Sequence, residues 1–224
     1  MEYNDYFIKR ISRYQYAIST YPSTMSDERN EAIIRLDLFD GCKALDLGNS
    51  GLMNFTNIDF EFKNLPFSDK SFDRIIIMAV LHHISSENRK VLYKECMRIL
   101  KPSGKLIVSD VIKNSKQDYW LNTVVNKYNS IGHKGIFFDK SDEALFKDVG
   151  FDVYSDVSSY FWYFNNKEDL EDFIINLFGM DLADNVYDIV NQNLGLIPHG
   201  EKGFKFKWQL MYFIATCPQD TSQG

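Results

Sequence analysis

The strongest feature in the pattern of apolar and polar positions is a strand. FDRIIIMAV, residues 72–80, carries a continuous isoleucine run that predicts burial on both faces, as in a parallel sheet. Ala44–Leu47 is a shorter apolar run, interrupted by Asp46 and ended by Gly48, and reads as the first strand. Ile58–Phe62 is a weaker strand ahead of the loop NLPFSDKS. After the isoleucine strand, Ser85 or Ser86 caps a helix to about Leu100, with Val91, Leu92, Met97, Ile99 and Leu100 as its apolar positions. Lys101 to Gly104 stops that helix, and Lys105–Asp110 is the next strand. Strand, helix and strand joined by short turns make a right-handed crossover in a parallel sheet.

Both flanks are helical or mixed. Phe7, Ile11, Tyr14 and Ala17 follow helical spacing. Ser26 caps a second helix, with Asp27 and Glu28 in its first turn, where the helix dipole favours acids, and Ala32, Ile33, Leu36 and Phe39 as its apolar face. These two helices either pack on the sheet or fold over its carboxyl edge as a lid. Further on, Asp118–Tyr128 is helical, and Ser141 caps a short helix closed by Gly150. Phe151–Val157 alternates like a strand, Ser158–Phe164 is apolar and aromatic, and helices over Lys167–Phe178 and Leu182–Asn193 break at Gly179. Phe204–Thr216 is the last strand. The expected organisation is N-terminal helices over 1–40 (a lid or dimer element), one domain over 41–218 with a helical insertion at about 165–195, and a flexible tail over 219–224.

Composition narrows the function. The chain has 224 residues, is 45% hydrophobic and carries a net charge of −6, so it can build a sizeable core and offers no basic stripe for nucleic acid. The ribbon EKGFKFK reads as an edge or surface strand. No run of apolar residues is long enough to cross a membrane, and the N-terminus lacks the apolar core of a signal peptide. Cys42, Cys96 and Cys217 are odd in number and far apart, which suits free thiols in a reducing cytoplasm. The four histidines lack Cys or Asp at ligand spacing, so no metal site is expected. There is no nucleophile elbow for Ser-His-Asp hydrolysis and no dinucleotide fingerprint.

Four pieces stand in order: ALDLGNSG (44–51), NLPFSDKSFDRI (64–75), AVLHHI (79–84) and RILKPSGKLIVSD (98–110). Together they resemble the glycine motif, loop, strand end and helix–turn–strand of class I S-adenosylmethionine-dependent methyltransferases, most of all the small-molecule, type 11-like branch. DLEDFIINLFGM and WQLMYFIATCP also resemble the C-terminal part of some members, so the likeness runs from about Arg35 to Pro218. The resemblance implies an α/β fold: a Rossmann-like, mostly parallel sheet with helices on both faces and an antiparallel last strand, here shortened after the first strand. It implies S-adenosyl-L-methionine as cofactor, lying across the carboxyl ends of the strands. By resemblance, Asp46 orders the glycine turn or the amino-acid end of the cofactor, and Gly48, Ser50 and Gly51 bring backbone close to it. Leu65 and Ala79 are carried over as further cofactor contacts.

The chain departs from this pattern in two ways. Ser50 stands where the middle glycine is usual, and only 13 residues separate Gly51 from Leu65. The family normally fits two helices and two strands into that interval, and a single crossover already needs about a dozen residues. Glu61 is then the acid near the adenine, or Asp59 the acid for the ribose; both cannot be placed as the family places them. An incomplete adenosine pocket and a free edge on the first strand follow as expectations, the edge being covered by a second copy, a related chain or the N-terminal helices.

Among chemically able residues, His82 and His83 end the isoleucine strand, and His82 is a candidate general base. Asp110 either contacts substrate or caps a turn. His133 and His199 are loop residues and secondary base candidates. Arg74, a charge inside a buried strand, calls for an ion pair at the strand start. Tyr160–Phe164 either walls an apolar pocket or packs as core. The reading is a methyltransferase acting on oxygen or nitrogen of a small molecule. The alternative is a methyltransferase-fold protein without normal cofactor binding, serving as a non-catalytic partner or doing other chemistry. The missing NPPY-like tetrapeptide and the acidic balance disfavour a nucleic-acid substrate.

Overall fold

The computed structural model describes residues 3–48 and 63–219. In chain order the elements are α1 (Tyr3–Thr20), α2 (Ser26–Leu36), β1 (Ala44–Asp46), β2 (Phe72–Met78), a 3-10 turn (Leu81–His83), α3 (Ser86–Ile99) and β3 (Leu100–Asp110). Then come α4 (Lys116–Tyr119), a π-helical turn (Trp120–Val125), α5 (Asn126–Tyr128), a second 3-10 turn (Lys140–Asp142), α6 (Glu143–Lys147), β4 (Asp152–Phe164), α7 (Lys167–Phe178), α8 (Val186–Leu194), β5 (Ile197–His199) and β6 (Gly203–Thr216). The weak strand expected at Ile58–Phe62 and most of the tail lie outside the described residues.

The chain forms two compact units. The sheet unit comprises Glu31–Val111, Ile136–Ser158 and the chain from Leu210; the helical unit comprises the chain to Asn30, Ile112–Gly135 and Ser159–Gln209. Strands are ordered β1-β2-β3-β6-β4. β1 pairs parallel with β2 (Asp46 opposite Ile76), β2 parallel with β3 (Met78 opposite Ser109), and β6 antiparallel to β3 (Met211 opposite Asp110). The parallel core and antiparallel last strand are as expected. Ile75, Ile76, Ile77, Leu106, Ile107 and Val108 are fully buried, as the isoleucine run requires. Ser85 is the cap of α3, its hydroxyl accepting the Asn88 N–H. Beneath α3 and α6, Tyr93, Phe146 and Phe213 stack, with ring centroids 4.2 and 5.2 Å apart.

Arg74 has the partners its position demands. It donates to the Leu36 and Asp37 carbonyls at 2.7 and 3.2 Å and lies 3.7 Å from the Asp37 carboxylate, which ties the end of α2 to the start of β2. Arg35 fastens α2 to β4 through Glu31, Asp156 and Ser158, with its guanidinium 4.4 Å above the Tyr212 ring.

Several local expectations change. Residues 101–104 do not form a separate turn; β3 already begins at Leu100, because the Ser103 N–H donates to the Cys217 carbonyl and the Cys217 N–H to the Gly104 carbonyl. The cap before α6 is Asp139, which bonds Ser141 N–H and forms a reciprocal box with Asp142; Ser141 is inside the turn. Ser158–Phe164 continues β4. The last helix starts at Val186, capped by Asn185, because the Leu182 N–H donates to the Tyr128 carbonyl and Asp181 binds Ser130, which fixes residues 181–184 outside a helix. Gly179, at φ +64°, supplies the left-handed end of α7.

In the helical unit, Trp162 stacks on Trp208 at 4.5 Å, with Phe173, Phe178 and Phe206 packed around the pair. Tyr160, Trp162 and Phe164 are buried and alternate along β4, so this aromatic run is core. Glu28 lies in the same core, accepting the Trp162 Nε1–H at 2.9 Å. β5, not anticipated, pairs antiparallel with β6. Among the described residues no helix is long and apolar enough to cross a membrane.

Candidate functional site

In the sheet unit, the carboxyl ends of β1, β2 and β3 lie side by side, and the candidate residues collect there. Asp46, the last residue of β1, is buried and accepts the Gly48 N–H at 3.1 Å, while the Leu47 N–H donates to the Ile76 carbonyl at 2.9 Å. The aspartate therefore shapes the turn that leaves the strand. A Cβ on Gly48 would sit 2.9 Å from the Met78 nitrogen and 3.2 Å from its carbonyl oxygen. Only glycine lets the chain pass this close to β2.

Ala79 follows β2 at φ +52°, a conformation that costs a non-glycine residue about 1 kcal/mol or more. Its N–H is held by the Ser109 carbonyl at 2.8 Å, and its side chain is exposed at the strand mouth. Leu65 is buried and anchored to α3: its N–H donates to Glu95 at 2.8 Å and its carbonyl accepts from Arg98 at 3.0 Å. Ser50, Gly51, Asp59 and Glu61 lie outside the described residues.

His82 and Asp110 form the densest polar group. Asp110 ends β3 with no exposed surface. One carboxylate oxygen accepts the His82 N–H at 3.0 Å; the other meets His82 Nδ1 at 2.8 Å and the Val111 N–H at 2.7 Å. A carboxylate only accepts, so Nδ1 carries the proton and the lone pair of the neutral ring resides on Nε2. His82 is only 5% exposed, with its ring 4.0 Å from that of His83 and 5.2 Å from that of Phe137. This pairing was not legible locally, because Asp110 read as either a substrate contact or a cap. It follows from the parallel order, which sets the ends of β2 and β3 together.

Arg89 was also missed. It is fully buried on α3, donating to the Leu81 carbonyl at 3.1 Å and to the Ile136 carbonyl. The signal was present, because Arg89 shares the buried helix face of Leu92, Tyr93, Cys96 and Ile99. The secondary base candidates lie in the helical unit. His133 is buried rather than solvated, its N–H bonded to Asn126, and His199 is on β5 rather than in a loop, its ring 5.1 Å from that of Tyr163.

Residues 23–108 match a family model described as a methyltransferase domain, type 11. Residues 23–108 thus resemble a type 11 methyltransferase domain, and the fold is that of solved S-adenosylmethionine-dependent methyltransferases. Over 46 residues it is 46% identical to the Mus musculus protein named Probable tRNA methyltransferase 9B, covering 20% of this chain and 10% of that one. Over 73 residues it is 36% identical to the ubiquinone/menaquinone biosynthesis C-methyltransferase UbiE of Pseudomonas paraeruginosa, covering 33% and 27%. The matches thus span from a tenth to about a quarter of these curated relatives. A S-adenosylmethionine-dependent methyltransferase from Thermotoga maritima superposes with a TM-score of 0.56 at 14% identity, covering 94% of this chain and 97% of that one; this likeness is one of fold.

S-adenosylmethionine is the cofactor of this methyltransferase family. The described strand ends of the domain fit it: a buried acid accepts the Gly48 N–H just after β1, Gly48 passes against the Met78 backbone, and Ala79 is exposed at the end of β2.

Proposed function

We propose that the chain catalyses methyl transfer from S-adenosylmethionine to an oxygen or nitrogen of a small molecule, with His82 as general base. The observation that carries this reading is the His82–Asp110 pair at the same strand ends as Asp46 and Gly48. When bound, the cofactor supplies an electrophilic methyl group. Nε2 of His82 takes the proton from the acceptor O–H or N–H as the lone pair attacks, and Asp110 stabilises the imidazolium through Nδ1. Asp46, Gly48, Leu65 and Ala79 serve the cofactor side, joined by Ser50, Gly51 and either Asp59 or Glu61. His83, against the His82 ring, bounds the acceptor side.

Incubating the full chain with S-adenosylmethionine and a panel of hydroxyl and amine metabolites tests this, read as S-adenosylhomocysteine formed. Turnover that falls about a hundredfold in His82→Gln, with cofactor affinity kept, is the expected result. Turnover unaffected by His82→Gln would rule out the base. A second reading, a methyltransferase fold without methylation, is favoured by the 13-residue interval after Gly51. It predicts cofactor binding and turnover both absent.

The same reading extends to assembly as a homodimer or a heteromer with a related chain. Ile33, Ile34, Leu38 and Phe39 are exposed where α2 ends and leads to β1, the terminal strand of the described sheet. Sedimentation of a purified dimer is the expected outcome; a monomer at micromolar concentration would contradict it.

A further inference from the structure

We infer that Arg89 is a positioning residue for the His82–Asp110 pair, holding the backbone on both sides of His82, directly at Leu81 and through the residue Ile136. The inference rests on the proposed role of His82 for its catalytic meaning, but its geometry stands alone. Arg89 is a fully buried cation in α3. Its Nε donates to the carbonyl of Leu81, the residue before His82, at 3.1 Å. A terminal nitrogen donates to the Ile136 carbonyl, and the N–H of that same residue donates to the His82 carbonyl at 2.7 Å. Two residues on, the Phe138 N–H donates to the Val111 carbonyl at 3.1 Å, next to Asp110. The guanidinium lies 3.8 Å over the Phe138 ring and 3.7 Å from the Asp142 carboxylate, which fixes its plane.

One flat cation thus bridges the turn carrying His82 and the segment that braces both His82 and the residue after Asp110. The guanidinium fork is required for this. A lysine at this place carries its three N–H groups on a single nitrogen, so it cannot match two carbonyls spaced to the separate Nε and terminal nitrogens of a planar guanidinium. A charge this deeply buried is retained only with full hydrogen bonding, so its placement is costly unless it holds something in register.

The test is Arg89→Lys in the full chain, read by imidazole ¹⁵N spectra and amide exchange. In the unaltered protein His82 should show one tautomer, protonated at Nδ1. In Arg89→Lys the two ring nitrogens should average toward each other, and the Ile136 amide should exchange about tenfold faster or more, while Ile76 and Ile107 in the sheet keep their protection. An unchanged tautomer and unchanged Ile136 exchange in the folded variant would overturn the inference. So would a uniform loosening that includes Ile76 and Ile107, which marks Arg89 as general core support. Should Arg89→Lys not fold, Phe138→Leu removes the ring under the guanidinium while leaving both carbonyls; the same selective changes are expected, and their absence overturns the inference. Turnover of His82→Gln is scored separately: retained turnover ends the base assignment and leaves the Arg89 result intact.

Discussion

Glu28 gives the sharpest stability prediction. The residue is 2% exposed in an aromatic core, where its carboxyl group accepts the Trp162 indole N–H at 2.9 Å. Burial pushes its carboxyl from an ordinary 4.5 up to about 7, against the smaller opposing pull of the Trp162 hydrogen bond and of Arg29. Because the folded-state value is raised, the folded chain holds this proton between pH 4.5 and 7 while the unfolded chain has lost it. Stability from this group is therefore present at low pH and declines as pH rises through that window. The shift corresponds to a loss of about 2.5 kcal/mol between pH 5 and pH 8.5. Glu28→Gln keeps an acceptor for the indole and removes the titration. Urea unfolding of both proteins at pH 5 and 8.5 should show the wild type losing about 2–3 kcal/mol more than the variant over that interval. Parallel pH profiles would refute the buried, protonated carboxyl.

Three further outcomes are expected. Gly48→Val places side-chain atoms against the Met78 backbone, so it should cost about 1–3 kcal/mol in chemical denaturation and weaken cofactor binding; a neutral effect on both would contradict the close approach. Tyr93→Phe removes a buried hydroxyl that has no hydrogen-bond partner among the described residues, and should leave the melting temperature unchanged or raise it, by about 1 kcal/mol in stability at most. Asp110→Asn should keep the fold and cofactor affinity yet reduce turnover about a hundredfold or more, because an amide nitrogen at Nδ1 favours the wrong tautomer; unaltered turnover would remove Asp110 from the chemistry.

The sheet was legible because burial on both faces leaves a run such as Ile75–Ile77, and because a strand–helix–strand order has one hand. The strand ends were legible too, since Asp46, Ala79 and His82 fall in motifs whose order fixes their place. Pairings between distant positions were not. Nothing near Glu28 signals that Trp162, 134 residues on, will bury it, and a first-turn acid is ordinarily solvated. His82 with Asp110 needed the register of β2 on β3. Ala79 shows no sign in sequence of its left-handed backbone, found where its N–H bonds to the Ser109 carbonyl. Arg89 alone was readable in advance, from a charge placed on an apolar helix face.

Calorimetric titration of the full chain with S-adenosylhomocysteine bears most directly on the family chemistry proposed for these strand ends. Saturable one-to-one binding, weakened by Asp46→Ala, is the expected result. No saturable heat at millimolar ligand, with the chain folded, would contradict it.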